Sequence, residues 1–274
     1  RAVGHYWLRR PSLASAADGE AIRSSLDQID QFANVVGKKF QRFLLVGIGG
    51  SALGPQFLTQ AFRRPGITPA IFFLDNTDPE GFARAFADIE VAGGLDETLA
   101  IVVSKSGGTP ETRNGMLIAQ RAYRDAGFDF ATHAVAVTQP GSKMHADSAG
   151  WLARFPVWEW VGGRTSLFSP VGLLPAALLG FDWRGLLDGA SAMDERTSPS
   201  KRDPNDNPAL LLALAWHHLI ARRGLAHMVV LPYADRLSLL ASYLQQLVME
   251  SLGKDGQGLS VFGNKGSTDQ HSYV

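Results

Sequence analysis

Four short, nearly unbroken apolar runs punctuate the first half of the chain, and each leads into polar or glycine-rich sequence: Arg42 to Ile48, Ala70 to Asp75, Leu99 to Ser104 and Ala131 to Thr138. Between them lie longer segments with helical apolar spacing, Ala52 to Phe62, Pro79 to Ile89 and Glu111 to Ala126. Apolar strands without an alternating polar face, separated by amphipathic helices, describe a parallel sheet covered on both faces. The fold class expected is α/β, with parallel sheets flanked by helices.

A helix from Ile22 to Val36 precedes this pattern, and Asp182 to Glu195 reads as another helix after it. The stretch TSPSKRDPNDNP then has the composition of a linker or long loop. Pro208 to Arg222 is expected to be helical, Ala226 to Leu231 a strand, Arg236 to Met249 a helix, and Gly258 to Phe262 the start of one further strand. The expected organisation is a helical lead and first αβ domain over residues 1–185, then a linker and a partial, truncated second αβ domain over residues 186–274.

Composition narrows the chemistry. The 274 residues contain no cysteine, which excludes disulfides, a cysteine nucleophile and thiolate-held metals. The 26 basic and 26 acidic side chains balance, which argues against a nucleic-acid partner, since phosphate-backbone binders carry a basic excess or stripe. The opening RAVGHYWLRRPSL lacks the apolar core of a signal peptide, and the apolar runs LLVGIGG and ALLLALAW fall short of the roughly 20 residues that cross a bilayer. These features point to a soluble cytoplasmic protein with no membrane partner.

Two glycine-rich loops are the first candidates for chemistry. The first apolar run enters Gly47-Ile48-Gly49-Gly50-Ser51-Ala52-Leu53-Gly54. Glycines at the carboxyl end of a strand let backbone N–H groups approach an anion while the following helix adds its positive end. The spacing of Gly47, Gly49 and Ala52, with Asp75 ending the next run, also fits a dinucleotide fingerprint, and the glycines are equally open to a packing explanation. The second loop, Ser104-Lys105-Ser106-Gly107-Gly108-Thr109-Pro110-Glu111-Thr112, offers four hydroxyls, a cation and the free amides of a helix start, the donor set that a terminal phosphate needs. The plainer alternative has Thr109 capping the helix and Lys105 solvated. Dinucleotide binding gives no reason for this second cradle.

Further along, Trp158, Trp160 and Val161 lead into Gly162-Gly163-Arg164, where a guanidinium beside two glycines is either a ligand contact or an ordinary surface charge. Glu250 is expected in the last turn of its helix, where the dipole strengthens a carboxylate as a base; its simpler role is an exposed ion pair with Lys254. His271 is ambiguous, flanked by Gln270 and Ser272. The remaining histidines that the pattern makes visible, His133, His145, His217, His218 and His227, read as structural or solvent-facing. No H-E-x-x-H metal site, Walker A loop or G-x-S-x-G nucleophile elbow is present.

Taken together, LLVGIGGSALGP, VVSKSGGTPET, WVGGRTSLFSPVG, MESLGKDG and GSTDQHSY make the chain similar to the glucose-6-phosphate isomerase family, in that family's order and across most of the sequence. The resemblance implies tandem sugar-isomerase αβ domains, reversible conversion of glucose 6-phosphate to fructose 6-phosphate, no organic or metal cofactor, and a cytoplasmic homodimer in glycolysis and gluconeogenesis with an active site shared between subunits. Carried over by motif, it implies phosphate binding at Ser104, Lys105, Ser106, Thr109 and Thr112, with Gly50 and Ser51 near the sugar. It further implies charge stabilisation by Arg164, proton transfer by Glu250, ring opening by His271 from a partner subunit, and substrate contacts at Glu111 and Gln246. The family's C-terminal catalytic lysine has no counterpart among these residues. A noncatalytic sugar-phosphate sensor of the same fold is the alternative, and a dinucleotide oxidoreductase a more distant one.

Overall fold

The apolar runs form a five-stranded sheet in the computed structural model of the protein, which describes residues 3–273. Strands β1 (Arg42–Val46), β2 (Ala70–Leu74), β3 (Thr98–Val103), β4 (Ala134–Thr138) and β5 (Ala153–Pro156) are all parallel and lie in the order β2-β1-β3-β4-β5. Val46 of β1 pairs with Leu74 on one side and Val102 on the other, so the ends of β1, β2 and β3 are level. Every residue of β1, β3 and β4 is buried. That is the expected consequence of an unbroken apolar run in a doubly covered sheet.

Helices α1 (Ala16–Val36), α2 (Leu53–Phe62), α3 (Pro79–Ala92), α4 (Pro110–Asp125), α5 (Lys143–Asp147) and α6 (Pro170–Leu178) complete this part of the chain. On α4 the buried residues are Thr112, Gly115, Met116, Ala119 and Tyr123, one stripe at helical spacing. Met116, Ala119 and Tyr123 join Leu44, Val46, Ala100 and Val102 of the sheet in one core cluster. Each large apolar side chain so buried contributes about 1.5–3 kcal/mol relative to exposure. Tyr123 also satisfies its hydroxyl, which donates to the Thr98 carbonyl at 2.8 Å; burial pushes this phenol well above its ordinary range.

Before residue 182, α1, β5 and α5 differ from the sequence expectation. Helix α1 begins six residues before Ile22, because Ser15 Oγ accepts from the Asp18 N–H at 3.1 Å and the first turn, largely exposed, carries little apolar signal. Strand β5 is four residues with a single fully buried position, too short and too mixed to stand out as an apolar run. Helix α5 is held by Ser142, whose hydroxyl accepts from the His145 N–H at 3.1 Å.

The chain divides into two compact units, the first ending at Phe181 and the second beginning at Asp182. The second contains α7 (Trp183–Arg196), α8 (Pro208–Arg223), β6 (His227–Val230), α9 (Leu240–Leu244), α10 (Glu250–Leu252), β7 (Ser260–Gly263) and α11 (Gln270–Tyr273). Strands β6 and β7 pair in parallel. Its core cluster is Val248, Leu259 and Val261, packed by Trp216, Ile220, Met228, Val230 and Leu244. The linker-like stretch is stitched rather than loose. Buried Asn207 donates to the Lys201 carbonyl at 3.0 Å and accepts from the Leu210 N–H at 3.1 Å, capping α8. The uniform helix expected from Arg236 to Met249 is broken up: α9 passes into a π-helical turn, Gln245–Met249, before α10.

Candidate functional site

In the order β2-β1-β3-β4-β5, the chain leaves β1 toward one side of the sheet and β3 toward the other. In open α/β sheets the crevice outside the carboxyl ends of such strands is where ligands bind. The two glycine-rich loops leave the sheet there, one after β1 and one after β3.

The helices that follow these two loops share a further property. Within the first unit, α1, α3, α5 and α6 each start with a side chain that accepts backbone N–H groups, from Ser15, Asp78, Ser142 and Ser169. Helices α2 and α4 have no side-chain cap, their N-cap residues being Ala52 and Thr109. The plain expectation that Thr109 serves as a helix cap is therefore not met, and its position leaves the N-terminal amides of α4 to other acceptors.

Serine hydroxyls shape the loop that precedes α4. Buried Ser104 accepts from the Gly107 N–H at 3.0 Å, and exposed Ser106 accepts from the Gly108 N–H at 3.1 Å. Gly107 has φ +76°, and a Cβ there would stand 2.6 Å from the Met144 backbone nitrogen, so both conformation and space require glycine. Thr112 is buried on the core side of α4, while Glu111 in its first turn is half-buried. Lys105 departs from the solvated cation of the plain reading: its ammonium donates to the carbonyls of Glu159 at 2.8 Å and Val161 at 2.9 Å.

The loop after β1 is packed against the segment that carries Arg164. A Cβ on Gly50 would lie 2.2 Å from the Gly163 carbonyl oxygen, a contact only glycine permits. Ser166 closes the same junction, its hydroxyl donating to the carbonyls of Gly163 at 2.7 Å and Gly50 at 3.2 Å. The packing explanation that the sequence leaves open for these glycines holds at Gly50, and Gly163 and Ser166, which the sequence does not mark as its partners, form the other half of the junction. Their short spacing around Arg164 is the nearest the sequence comes to a signal. Asp75, the acid of the dinucleotide alternative, accepts from Gln56 Nε2 of α2 at 2.6 Å.

In the second unit, Gln246 lies in the π turn, and its carbonyl accepts the N–H of Glu250, the first residue of α10. A π turn widens the helix by one residue and re-aims the side chains that follow, a device frequent at functional sites. Glu250 is exposed. Lys254 donates to the carbonyls of Glu250 at 2.8 Å and Ser251 at 2.9 Å, so the i,i+4 relation serves to cap the helix end. His271 is exposed on α11, with its N–H donating to the Ser267 carbonyl at 3.1 Å. Among the described residues no group of three or more His, Asp or Glu is arranged to hold a metal, and no helix is long and apolar enough to cross a membrane.

The sequence model of phosphoglucose isomerase matches residues 12–273. The chain belongs to the phosphoglucose isomerase family. This assignment replaces the dinucleotide alternative. A glucose-6-phosphate isomerase of Geobacter sulfurreducens is 54% identical over 294 aligned positions, covering 100% of this chain and 55% of the relative. That of Thermosynechococcus vestitus is 54% identical over 296 positions with the same coverage. A glucose-6-phosphate isomerase structure from Chlamydia trachomatis superposes with a TM-score of 0.88 at 31% identity, over 100% of this chain and 55% of that one. The chain thus spans about half the length of the phosphoglucose isomerases it matches.

Proposed function

We propose that the protein interconverts glucose 6-phosphate and fructose 6-phosphate, the activity for which its relatives are named. The observation that carries this reading is the uncapped start of α4, fed by a serine-shaped loop at the sheet's ligand-binding edge, in a member of the phosphoglucose isomerase family. An amide cluster at a helix N-terminus is suited to a phosphate dianion. The phosphate is held by the loop that runs from Ser104 to Thr112, through the hydroxyls of Ser104, Ser106, Thr109 and Thr112 and the main chain around Lys105, with Gly50 and Ser51 near the sugar and Glu111 and Gln246 in contact with substrate.

His271 moves a proton between ring oxygen and hydroxyl, opening the pyranose to the aldehyde. The Glu250 carboxylate then removes the C2 proton; the C2–H electron pair forms the C1–C2 double bond, and the carbonyl oxygen becomes negative. Arg164 stabilises that oxygen as charge develops, because a carboxylate alone is too weak a base for an ordinary carbon acid. The O2 hydroxyl proton passes to O1, and as the Glu250 carboxylic acid protonates C1 the C1–C2 double-bond pair forms the new C1–H bond while the O2 electron pair forms the C2 carbonyl, collapsing the cis-enediol to the ketose and returning Glu250 to its carboxylate. Anchoring the distant phosphate supplies orientation for the reacting carbons. The reading extends to tandem sugar-isomerase domains divided near residues 185 and 186, the second domain being partial in this chain, and to a cytoplasmic homodimer in which a partner subunit supplies His271.

The test is a coupled isomerisation assay on the longest available chain. Replacing Glu250→Gln should lower kcat by about 100- to 10,000-fold, the usual worth of a positioned general base. Undiminished turnover in that variant overturns the assignment of the base. Binding of hexose phosphate without turnover in the unsubstituted protein favours a sensor.

A further inference from the structure

Lys105 lies between the two serines of the phosphate loop, where a cation would be expected to face the anion, yet its ammonium is engaged elsewhere. It donates to the Glu159 carbonyl at 2.8 Å and to the Val161 carbonyl at 2.9 Å. Its main chain is fixed as well: the Lys105 carbonyl accepts from the Gln139 N–H at 3.0 Å and from Thr138 Oγ1 at 3.2 Å, both at the end of β4. The residue therefore reaches from the loop after β3, past β4, to the segment that follows β5.

That segment is held from both ends, the Val157 N–H donating to the Thr138 carbonyl at 2.8 Å and Ser166 donating to the carbonyls of Gly163 and Gly50, and the Lys105 tie falls between them. The Val161 N–H closes a turn on the Trp158 carbonyl at 3.0 Å, and the Gly4 N–H reaches the Trp160 carbonyl at 3.3 Å. Trp7 packs edge-on against Trp160 with ring centroids 5.1 Å apart. Beyond Val161 come two glycines held only through their main chain, the Gly162 carbonyl accepting from the Thr165 N–H at 3.1 Å and the Gly163 carbonyl from Ser166 Oγ at 2.7 Å, and then Arg164. Charge-assisted bonds from an ammonium to two carbonyls of one turn are stronger than neutral ones. They convert a flexible lysine stem into a strut between the loop that takes phosphate and the segment that delivers the guanidinium.

We propose that Lys105 is a positioning residue: its side chain ties residues 159–161 to the phosphate loop, keeping Arg164 in register with that loop, and its charge is not a ligand of the phosphate. The roles of Arg164 and of the phosphate rest on the isomerase reading above; the tie itself does not. Phosphate is then held by amides and hydroxyls, and loss of Lys105 damages turnover more than binding.

The experiment compares the whole chain with its Lys105→Met and Lys105→Arg variants by amide hydrogen exchange and by titration with inorganic phosphate. In Lys105→Met the Val161 and Thr165 amides should exchange about tenfold faster, the scale of one charge-assisted bond, while the amides of β1 stay as protected as before. Lys105→Arg, which keeps a cationic donor, should restore most of that protection. Phosphate affinity should stay within about threefold in both variants, the residual being long-range charge. In the longest chain that turns over hexose phosphate, Lys105→Met should lower kcat about tenfold with KM within about twofold. Unchanged exchange of residues 158–165 in Lys105→Met overturns the proposal, as does a tenfold or greater loss of phosphate affinity. If the unsubstituted chain binds no phosphate, the isomerase reading fails, and the exchange comparison still decides whether the tie exists.

Discussion

In the first unit, β1, β3 and β4 are buried at every position, and α6 is buried at all but one of its residues. In the second, β6 alternates between exposed and half-buried residues, Val229 and Phe262 are 51% and 49% exposed, and α8 buries none of its 16 residues. The same type of parallel pairing is thus covered on both faces in one unit and thinly covered in the other. Local stability follows buried apolar contact. The two glycine-rich loops therefore grow from the part of the chain with the denser core, whereas Gln246 and Glu250 belong to a helix already interrupted by a π turn. Under the proposed function, phosphate anchoring benefits from a fixed cradle, and proton transfer between two adjacent carbons benefits from a carboxylate whose support can adjust.

The largest effect should come from emptying the first core. Leu44, with no exposed surface in β1, packs among Val46, Ala100 and Val102, so Leu44→Ala removes side-chain atoms that the close-packed sheet cannot replace. The expected loss is about 2–5 kcal/mol in denaturant unfolding. Leu214 on α8 is 47% exposed, and Leu214→Ala should change stability by no more than about 0.5 kcal/mol. Equal losses at the two leucines would break the contrast between the units.

A smaller effect sharpens the contrast through pH. Burial raises the Tyr123 phenol above its ordinary range while its hydroxyl donates to Thr98. An unfolded tyrosine ionises near pH 10, so the folded state, which resists ionisation, keeps its full stability below about that pH. Above it the unfolded chain gains charge first, and stability falls as pH rises toward the folded value. Tyr123→Phe should cost about 1 kcal/mol at neutral pH and flatten the alkaline decline, measured by urea titrations from pH 8 to 11 at constant salt. The second unit offers a contrast at Lys265, which is raised by its hydrogen bond to Asp235; both side chains are exposed, and salt should weaken that contribution.

How far the sequence could be read follows the same division. Unbroken apolar runs located β1 to β4 because full burial leaves a strong compositional trace, and the loops after β1 and β3 were visible because glycines and hydroxyls cluster there. Strand β5 was missed because an edge strand with one buried position looks like any other ARFP. The π turn was invisible because an extra residue in a helix disturbs the hydrophobic period no more than ordinary end fraying does. Lys105 shows a different limit. Residue type and motif place a cation in the loop, but only three-dimensional structure reveals that a long side chain has turned away to a segment 54 residues further on.

The finest distinction lies inside the rigid unit, between helix starts that close themselves and those left open. Asp78 accepts from the Glu80 N–H at 3.1 Å and the Gly81 N–H at 3.0 Å at the start of α3, so Asp78→Ala should cost about 1 kcal/mol. Thr109 holds the equivalent position on α4 without a side-chain cap, so Thr109→Ala should leave stability within about 0.5 kcal/mol of the parent. If the open amides of α4 are reserved for an anion, inorganic phosphate should stabilise the parent by mass action and do so less in Thr109→Ala, which loses a hydroxyl proposed to contact the phosphate. Asp78→Ala should respond to phosphate as the parent does. A phosphate response that is the same in all three proteins would mean that the open helix start is an accident of packing, and a full capping loss at Thr109 would mean that the hydroxyl closes the helix in solution after all.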